Sequence, residues 1–209
     1  MTTRVGQEEE ADIVLLTERR DGGGMSADES LGAKLKGLRR ARGCSLSELS
    51  RRSGVGKGTI SELENDRRGA RLDTLFALTT ALEAPLGALM PDGALDTTSA
   101  VQGDSVAATL LTRWPTEEYL VEVYRATLSE RRQESAAHAA GVRETVTVVR
   151  GRVRVGCVGD ERELGEGESL RYRGDVPHRF SALGATTDVL LLMHYPPPPP
   201  SDDGREHSG

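Results

Sequence analysis

The chain has 209 residues, 36% hydrophobic and 29% charged, enough for one large or two small domains. A formal net charge of −6 speaks against a uniformly basic nucleic-acid binder, and two cysteines, Cys44 and Cys157, are too few for a disulfide framework. No apolar run approaches the length of a membrane span and the acidic run Glu8-Glu9-Glu10 is unlike a signal peptide, so the expected location is the cytoplasm.

Residues 1–28, ending in Gly22-Gly23-Gly24 and a second methionine, Met25, read as a mobile segment, and Met25 is an alternative start. A helical domain is expected over 29–93. Leu31, Leu35, Leu38 and Arg42 repeat at helical spacing. A second helix starts at Ser45, which stands in capping-box relation to Glu48. Leu46, Leu49 and Val55 give it an apolar face, and Gly54 allows a tight turn. A third helix, from about Lys57 to Glu64, buries Ile60 and Leu63 and turns Lys57, Thr59, Ser61 and Glu62 outward. Leu72, Leu75, Leu78 and Leu82 mark a fourth helix, closed by Ala84-Pro85. Pro85 suits the first turn of a short fifth helix carrying Leu86 and Leu89. Residues 31–71 hold eleven basic and four acidic side chains, a net +7, so the rest of the chain carries −13. A basic face on an acidic body is what phosphate contact requires.

Pro91-Asp92-Gly93 closes the helical domain, and 94–104 read as a polar linker. Over 105–195 the pattern becomes β-rich, with strands expected at 109–112, 119–128, 144–149, 152–158, 169–172 and 189–195. Gly151, Gly159-Asp160 and Gly165-Glu166-Gly167 mark turns. Many short strands at regular spacing predict a sandwich or barrel. The apolar run Val189–Met193 is expected beside a sheet edge, where it would serve a dimer. Arg150, Arg152 and Arg154 alternate along a strand and read as a solvated face. Residues 196–209 begin with five prolines and read as a polar tail.

The run R-R-A-R-G-C-S-L (39–46), the core S-G-V-G-K-G-T-I-S-E-L-E (53–64) and R-L-D-T-L-F-A-L (71–78) resemble the lambda-repressor-like helix-turn-helix domain of the xenobiotic-response-element family. The resemblance covers residues 31–90 and implies a five-helix DNA-binding domain. It departs from the family at Gly56, where Ser is common, and at Leu46, where Gln is common. Lys57, Thr59, Ser61 and Glu62 are then base-contact candidates, and Arg39, Arg40, Arg67 and Arg68 phosphate candidates. A lone module makes few contacts, so a homodimer on a palindromic double-stranded operator is expected.

In the β-rich part, His138 lies six residues before Glu144, E-T-V-T-V-V-R-G (144–151) runs from a strand into a turn, and G-E-S-L-R-Y-R-G-D-V-P-H (167–178) ends in His178. These resemble the cupin family, a double-stranded β-helix, over 106–195. The resemblance implies one cation held by His138, a second histidine two residues later, Glu144 and His178. Here that second position is Ala140, and Arg173 and Asp175 stand where the family often has Pro and Gly. Three readings stay open: a divalent transition metal on His138, Glu144 and His178, a metal-free pocket for an organic effector using the same three side chains, or a structural remnant. The overall expectation is a multidomain α + β chain, an all-α helix-turn-helix domain followed by an all-β cupin domain. It would be a non-enzymatic, sequence-specific transcriptional regulator, a repressor that senses a small molecule. The alternative is a cupin enzyme of dioxygenase or isomerase type with an accessory DNA-binding domain.

Overall fold

A computed structural model describes residues 30–90, 101–103 and 105–197. The expectations for 1–28, for most of the 94–104 linker and for most of the 196–209 tail therefore lie outside the described residues.

Four α-helices come first: α1 (Leu31–Ala41), α2 (Leu46–Ser53), α3 (Lys57–Glu64) and α4 (Leu72–Ala81). The expected fifth helix is a single 3-10 turn, Leu86–Ala88, so the domain has four α-helices and not five. Pro85 sits at its N-cap, and a turn of i→i+3 bonds suffices to bury Leu86 and Leu89. Ser45 caps α2, its Oγ accepting from the Glu48 N–H at 3.1 Å. The reciprocal half of the capping box is replaced, because the Glu48 carboxylate turns to Arg51 and Arg52. Gly54 ends α2 in the left-handed region at φ 72°, which costs glycine no Cβ clash. Leu35, Leu49, Ile60, Leu75 and Leu78 are fully buried at the centre of this head, and Cys44 packs with them.

Ten strands follow: β1 (Val101–Gln102), β2 (Val106–Pro115), β3 (Leu120–Leu128), β4 (Gln133–Ser135), β5 (Arg143–Arg150), β6 (Val153–Cys157), β7 (Arg162–Leu164), β8 (Ser169–Arg173), β9 (His178–Ala182) and β10 (Thr187–Tyr195). They form a six-stranded sheet, β1-β2-β3-β10-β5-β8, and a four-stranded sheet, β4-β9-β6-β7, with every pairing antiparallel. Val146, Val148, Val153, Val155, Tyr124 and Met193 are buried in the β domain's core. Strand β10 lies between β3 and β5, so Val189–Met193 is central rather than at an edge. Its near-continuous apolar run reflects a strand paired on both sides, and it offers no edge to a second copy.

The two domains are tied by hydrogen bonds to buried backbone groups. Both carboxylate oxygens of Glu122, itself fully buried on β3, accept from the Gly87 N–H at 3.1 and 3.0 Å. Tyr124 Oη donates to Glu122 at 2.6 Å, and the Leu86 N–H donates to Tyr195 Oη at 3.2 Å. A Cβ on Gly87 would meet a Glu122 carboxylate oxygen at 2.2 Å. Arg113 reaches the Gly87 carbonyl at 3.3 Å, and Gln133 reaches Asp73 at 2.6 Å. Burial pushes the Glu122 carboxyl above its ordinary value of 4.5, against the bonds from Tyr124 and Gly87.

Gly87→Ala is expected to lower unfolding stability by about 2–3 kcal/mol, read from urea melts, because it breaks a buried bond to a charged group. The raised Glu122 pKa has a definite sign: its contribution is full below the unfolded pKa and is lost as pH rises through the folded one. The stability of the wild type relative to Glu122→Gln should therefore decline as pH rises from 4.5. A flat difference would show that Glu122 does not titrate in this way.

Candidate functional site

The helical head presents one polar face. On α3, Ile60 and Leu63 are buried, Lys57 and Glu62 are exposed, and Thr59 and Ser61 are half-buried, which is the outward set expected from the sequence. Gly56 provides no side-chain cap for α3. Arg40, Arg67 and Arg68 are exposed, and Arg68 lies 3.7 Å from Glu62.

Arg39 requires a correction. Its side chain is only 11% exposed. Nε and one terminal nitrogen grip the two oxygens of Glu64 at 2.6 and 2.8 Å, while the other terminal nitrogen binds the Cys44 carbonyl at 2.8 Å. A guanidinium committed in this way ties α1 to α3 and is withdrawn from phosphate contact. Sequence reasoning missed this because Arg39 and Arg40 are adjacent and equally basic. Helical phase alone turns one inward. It also missed Asp66, at φ 52° just after α3, whose oxygens accept from Ser30 Oγ at 2.6 Å and the Gly32 N–H at 3.0 Å. Gly32 lets α1 approach this turn closely, since a Cβ there would stand 2.3 Å from the Leu63 carbonyl. The Asp66 bonds and the Arg39–Glu64 pair fix the orientation of α3.

The second candidate site is inside the β domain. His138 comes from the loop after β4, Glu144 from β5 and His178 from β9, and their ligand atoms all lie within 4.8 Å of one another. One Glu144 oxygen is 2.9 Å from His138 Nε2 and 3.2 Å from His178 Nε2. The other accepts from Tyr172 Oη at 2.6 Å. The two histidines are held differently: the His138 backbone N–H donates to the Gly174 carbonyl at 2.9 Å, and His178 Nδ1 faces the Val176 carbonyl at 2.9 Å. With Nδ1 donating to that carbonyl, His178 turns Nε2 toward Glu144, where a protonated ring hydrogen-bonds the carboxylate and a neutral one would offer its lone pair to a metal, the second-sphere arrangement of metal-ligating histidines. Burial alone would raise the Glu144 carboxyl; the hydrogen bonds and charge of the two histidines outweigh it and hold it well below its ordinary value. For His178, burial presses the pKa down, and the Glu144 hydrogen bond and charge reverse this and raise it.

This donor set fits a divalent transition ion. Ligands about 2.1 Å from a metal and at right angles to one another stand about 3.0 Å apart, close to the two separations seen here. Two imidazoles and one carboxylate with further positions open suit Fe(II), Mn(II) or Zn(II). The adjoining cavity is ≈ 30 Å³. That is room for an ion or a water, and far below the ~300 Å³ of small organic sites. The organic-effector reading of the same three side chains therefore lacks space. Leu72, Phe76 and Leu86 of the helical head wall this cavity, and the Phe76 ring stacks on His138 with centroids 4.7 Å apart. Ala140 does not line it; it lines a larger cavity at the domain junction. Arg150 pairs with Asp188, and Arg152 and Arg154 with Glu163, on the exposed face expected of them.

Comparison with known proteins agrees with this geometry. Residues 35–89 match the helix-turn-helix family and residues 126–195 match the cupin domain family. The chain is 28% identical to the HTH-type transcriptional regulator SutR of Escherichia coli (strain K12) over 163 residues, 75% of this chain and 89% of SutR. A crystal structure of an HTH_3 family transcriptional regulator from Vibrio cholerae superimposes with a TM-score of 0.71 at 26% identity, covering 81% of this chain and 97% of that one. The cupin domain of an XRE family transcriptional regulator from Enterobacter cloacae shows 26% identity and a TM-score of 0.40, covering 45% of this chain and 100% of that one. The chain thus carries a helix-turn-helix domain of the xenobiotic-response-element type joined to a C-terminal cupin domain. It is a DNA-binding transcriptional regulator of that two-domain class.

Two measurements bear on these assignments. Arg39→Ala is expected to cost about 3–5 kcal/mol in urea unfolding, the penalty for stranding a buried Glu64, whereas Arg67→Ala should change stability little. Chelator-free protein titrated with Mn(II) or Co(II) is expected to bind one equivalent, with a stabilisation of about 2.7 kcal/mol at a hundredfold excess over Kd. His178→Ala should abolish it. A calorimetric trace without saturable uptake would refute the metal assignment.

Proposed function

We propose that the chain is a cytoplasmic homodimer that represses transcription by occupying a palindromic operator through α3. The observation that carries this is the outer side of α3, with Lys57 and Glu62 exposed and Thr59 and Ser61 half-buried, on a head that also exposes Arg40, Arg67 and Arg68 and is held by buried bonds. The first four are assigned to base edges in the major groove, and the three arginines to phosphates. Dimerisation follows from energetics, since one module of this size makes too few contacts for tight specific binding. Repression is assigned because occupancy of the DNA suffices for it, whereas activation needs a further contact to polymerase. No helix among the described residues is long and apolar enough to cross a membrane.

A cupin enzyme is the alternative, and the two-histidine, one-carboxylate cluster is what favours it. Against it, Leu72, Phe76 and Leu86 of the reading head close the cavity beside that cluster, leaving ≈ 30 Å³. We therefore assign the bound ion a holding role: it would fix His138, and through Phe76 the seat of α4.

The test is selection of genomic fragments with purified protein, followed by fluorescence anisotropy at several salt concentrations. Arg67→Ala or Arg68→Ala is expected to weaken all DNA alike and reduce the salt slope by about 1. Thr59→Ala or Ser61→Ala should instead shift preference between sites by about 1–3 kcal/mol. Equal losses on selected and random DNA from all four would refute the division of roles.

A further inference from the structure

Cavity sizes separate two jobs within this chain. The space at His138, Glu144 and His178 takes an ion, whereas a cavity of ≈ 500 Å³ opens at the junction of the two domains. That volume is within the ~300–1,000 Å³ range of small-molecule sites, which favour domain interfaces. Its walls come from both halves of the molecule: Arg42 and Glu83 from the helical head, Leu120, Ala140, Val142 and Tyr195 from the β domain.

The lining defines the occupant's chemistry. Most of the wall is aliphatic or aromatic carbon, with two charged residues, Arg42 and Glu83, among the lining. Arg42 and Glu83 are both exposed and adjacent, because an Arg42 terminal nitrogen donates to the Glu83 carbonyl at 3.0 Å. Glu83 follows the C-cap of α4 in the left-handed region at φ 50°, where the Ala84 N–H donates to the Thr79 carbonyl at 2.9 Å and ends the helix. A guanidinium with donors to spare suits a carboxylate, and a carboxylate beside it suits an ammonium. The position where the cupin resemblance places a second histidine is Ala140, and its methyl borders this cavity. A large ring at that position would narrow the space.

We propose that this junction cavity is the effector site and that it takes a zwitterion with an apolar body, of the apolar α-amino acid class. The carboxylate pairs with Arg42, the ammonium with Glu83, and the side chain packs on Leu120, Ala140, Val142 and Tyr195. The proposal rests on the reading of the chain as an effector-responsive regulator and says where the effector sits. A ligand there touches the end of α1, the turn after α4 and the sheet at once, so it holds the reading head to the β domain.

The experiment is isothermal titration of the full chain with L-leucine, L-methionine and L-phenylalanine. Octanoate and octylamine serve as single-charge comparators. At least one amino acid is expected to bind with one site per chain, about tenfold or more tighter than either comparator. Ala140→Trp should abolish the binding and Arg42→Ala should weaken it about tenfold. If Ala140→Trp unfolds, Ala140→Leu replaces it, with a smaller loss expected. No saturable uptake of any of the three, binding indifferent to the substitutions, or octanoate binding as tightly as the amino acids would overturn the proposal. DNA binding of the same preparations, measured in parallel, stands or falls separately.

Discussion

The arrangement of this molecule depends on one buried carboxylate. Glu122 lies on a strand deep in the β domain and has no cation as its main partner; it accepts from a backbone N–H of the helical head and from a tyrosine hydroxyl. A carboxyl taken out of water needs its lone pairs filled, and here one of the filling groups, the Gly87 N–H, belongs to the other domain. Separating the domains would leave the 3-10 turn and the carboxylate exposed together. Head and sheet are thereby held as one body, which gives meaning to every cross-domain contact, the Phe76–His138 stack included.

Much of the head was legible in the sequence because its signals are local. Caps, helical phase and the Gly54 turn lie within a few residues of what they control, so α1 to α4 and the outward set on α3 could be read directly. What failed depended on partners far along the chain. Arg39 and Arg40 differ only in which one finds Glu64, twenty-five residues away. The fifth helix shortened to a 3-10 turn whose backbone groups bond to Glu122 and Tyr195. Six of the strands lie where alternation and glycine turns place them. The strands β1, β4 and β7 escaped because two or three residues carry too little pattern, and β9 was missed with them. The central place of β10 was misread because a continuous apolar run does not say how many neighbours the strand has.

For the β-domain site, the sequence named three side chains that converge and left open whether an ion or an organic molecule would sit among them. His138, Glu144 and His178 do converge. Residue spacing carries no information about free volume, however, and volume decides between an ion and an organic molecule. The same blindness hid the junction cavity, which is lined by residues no motif joins: the end of α1, the turn after α4, a loop before β5 and the end of β10. Ala140 is instructive in this respect. As a motif position it is a missing ligand; in the fold it borders a different space altogether.

The wall that Phe76, Leu72 and Leu86 form over the histidine cluster has an evolutionary consequence. Regulators of this layout look modular, a reading head joined to a sensing body by a linker that recombination could cut. Here the cut would pass through a shared interior. A head grafted from a relative would bring its own residues to the roof of the histidine cluster, and its own turn to a carboxylate that packs closely on Gly87. Exchange of operator specificity should therefore proceed by substitution on the outer face of α3, with the inner face of α4 and the turn after it inherited together with the β domain.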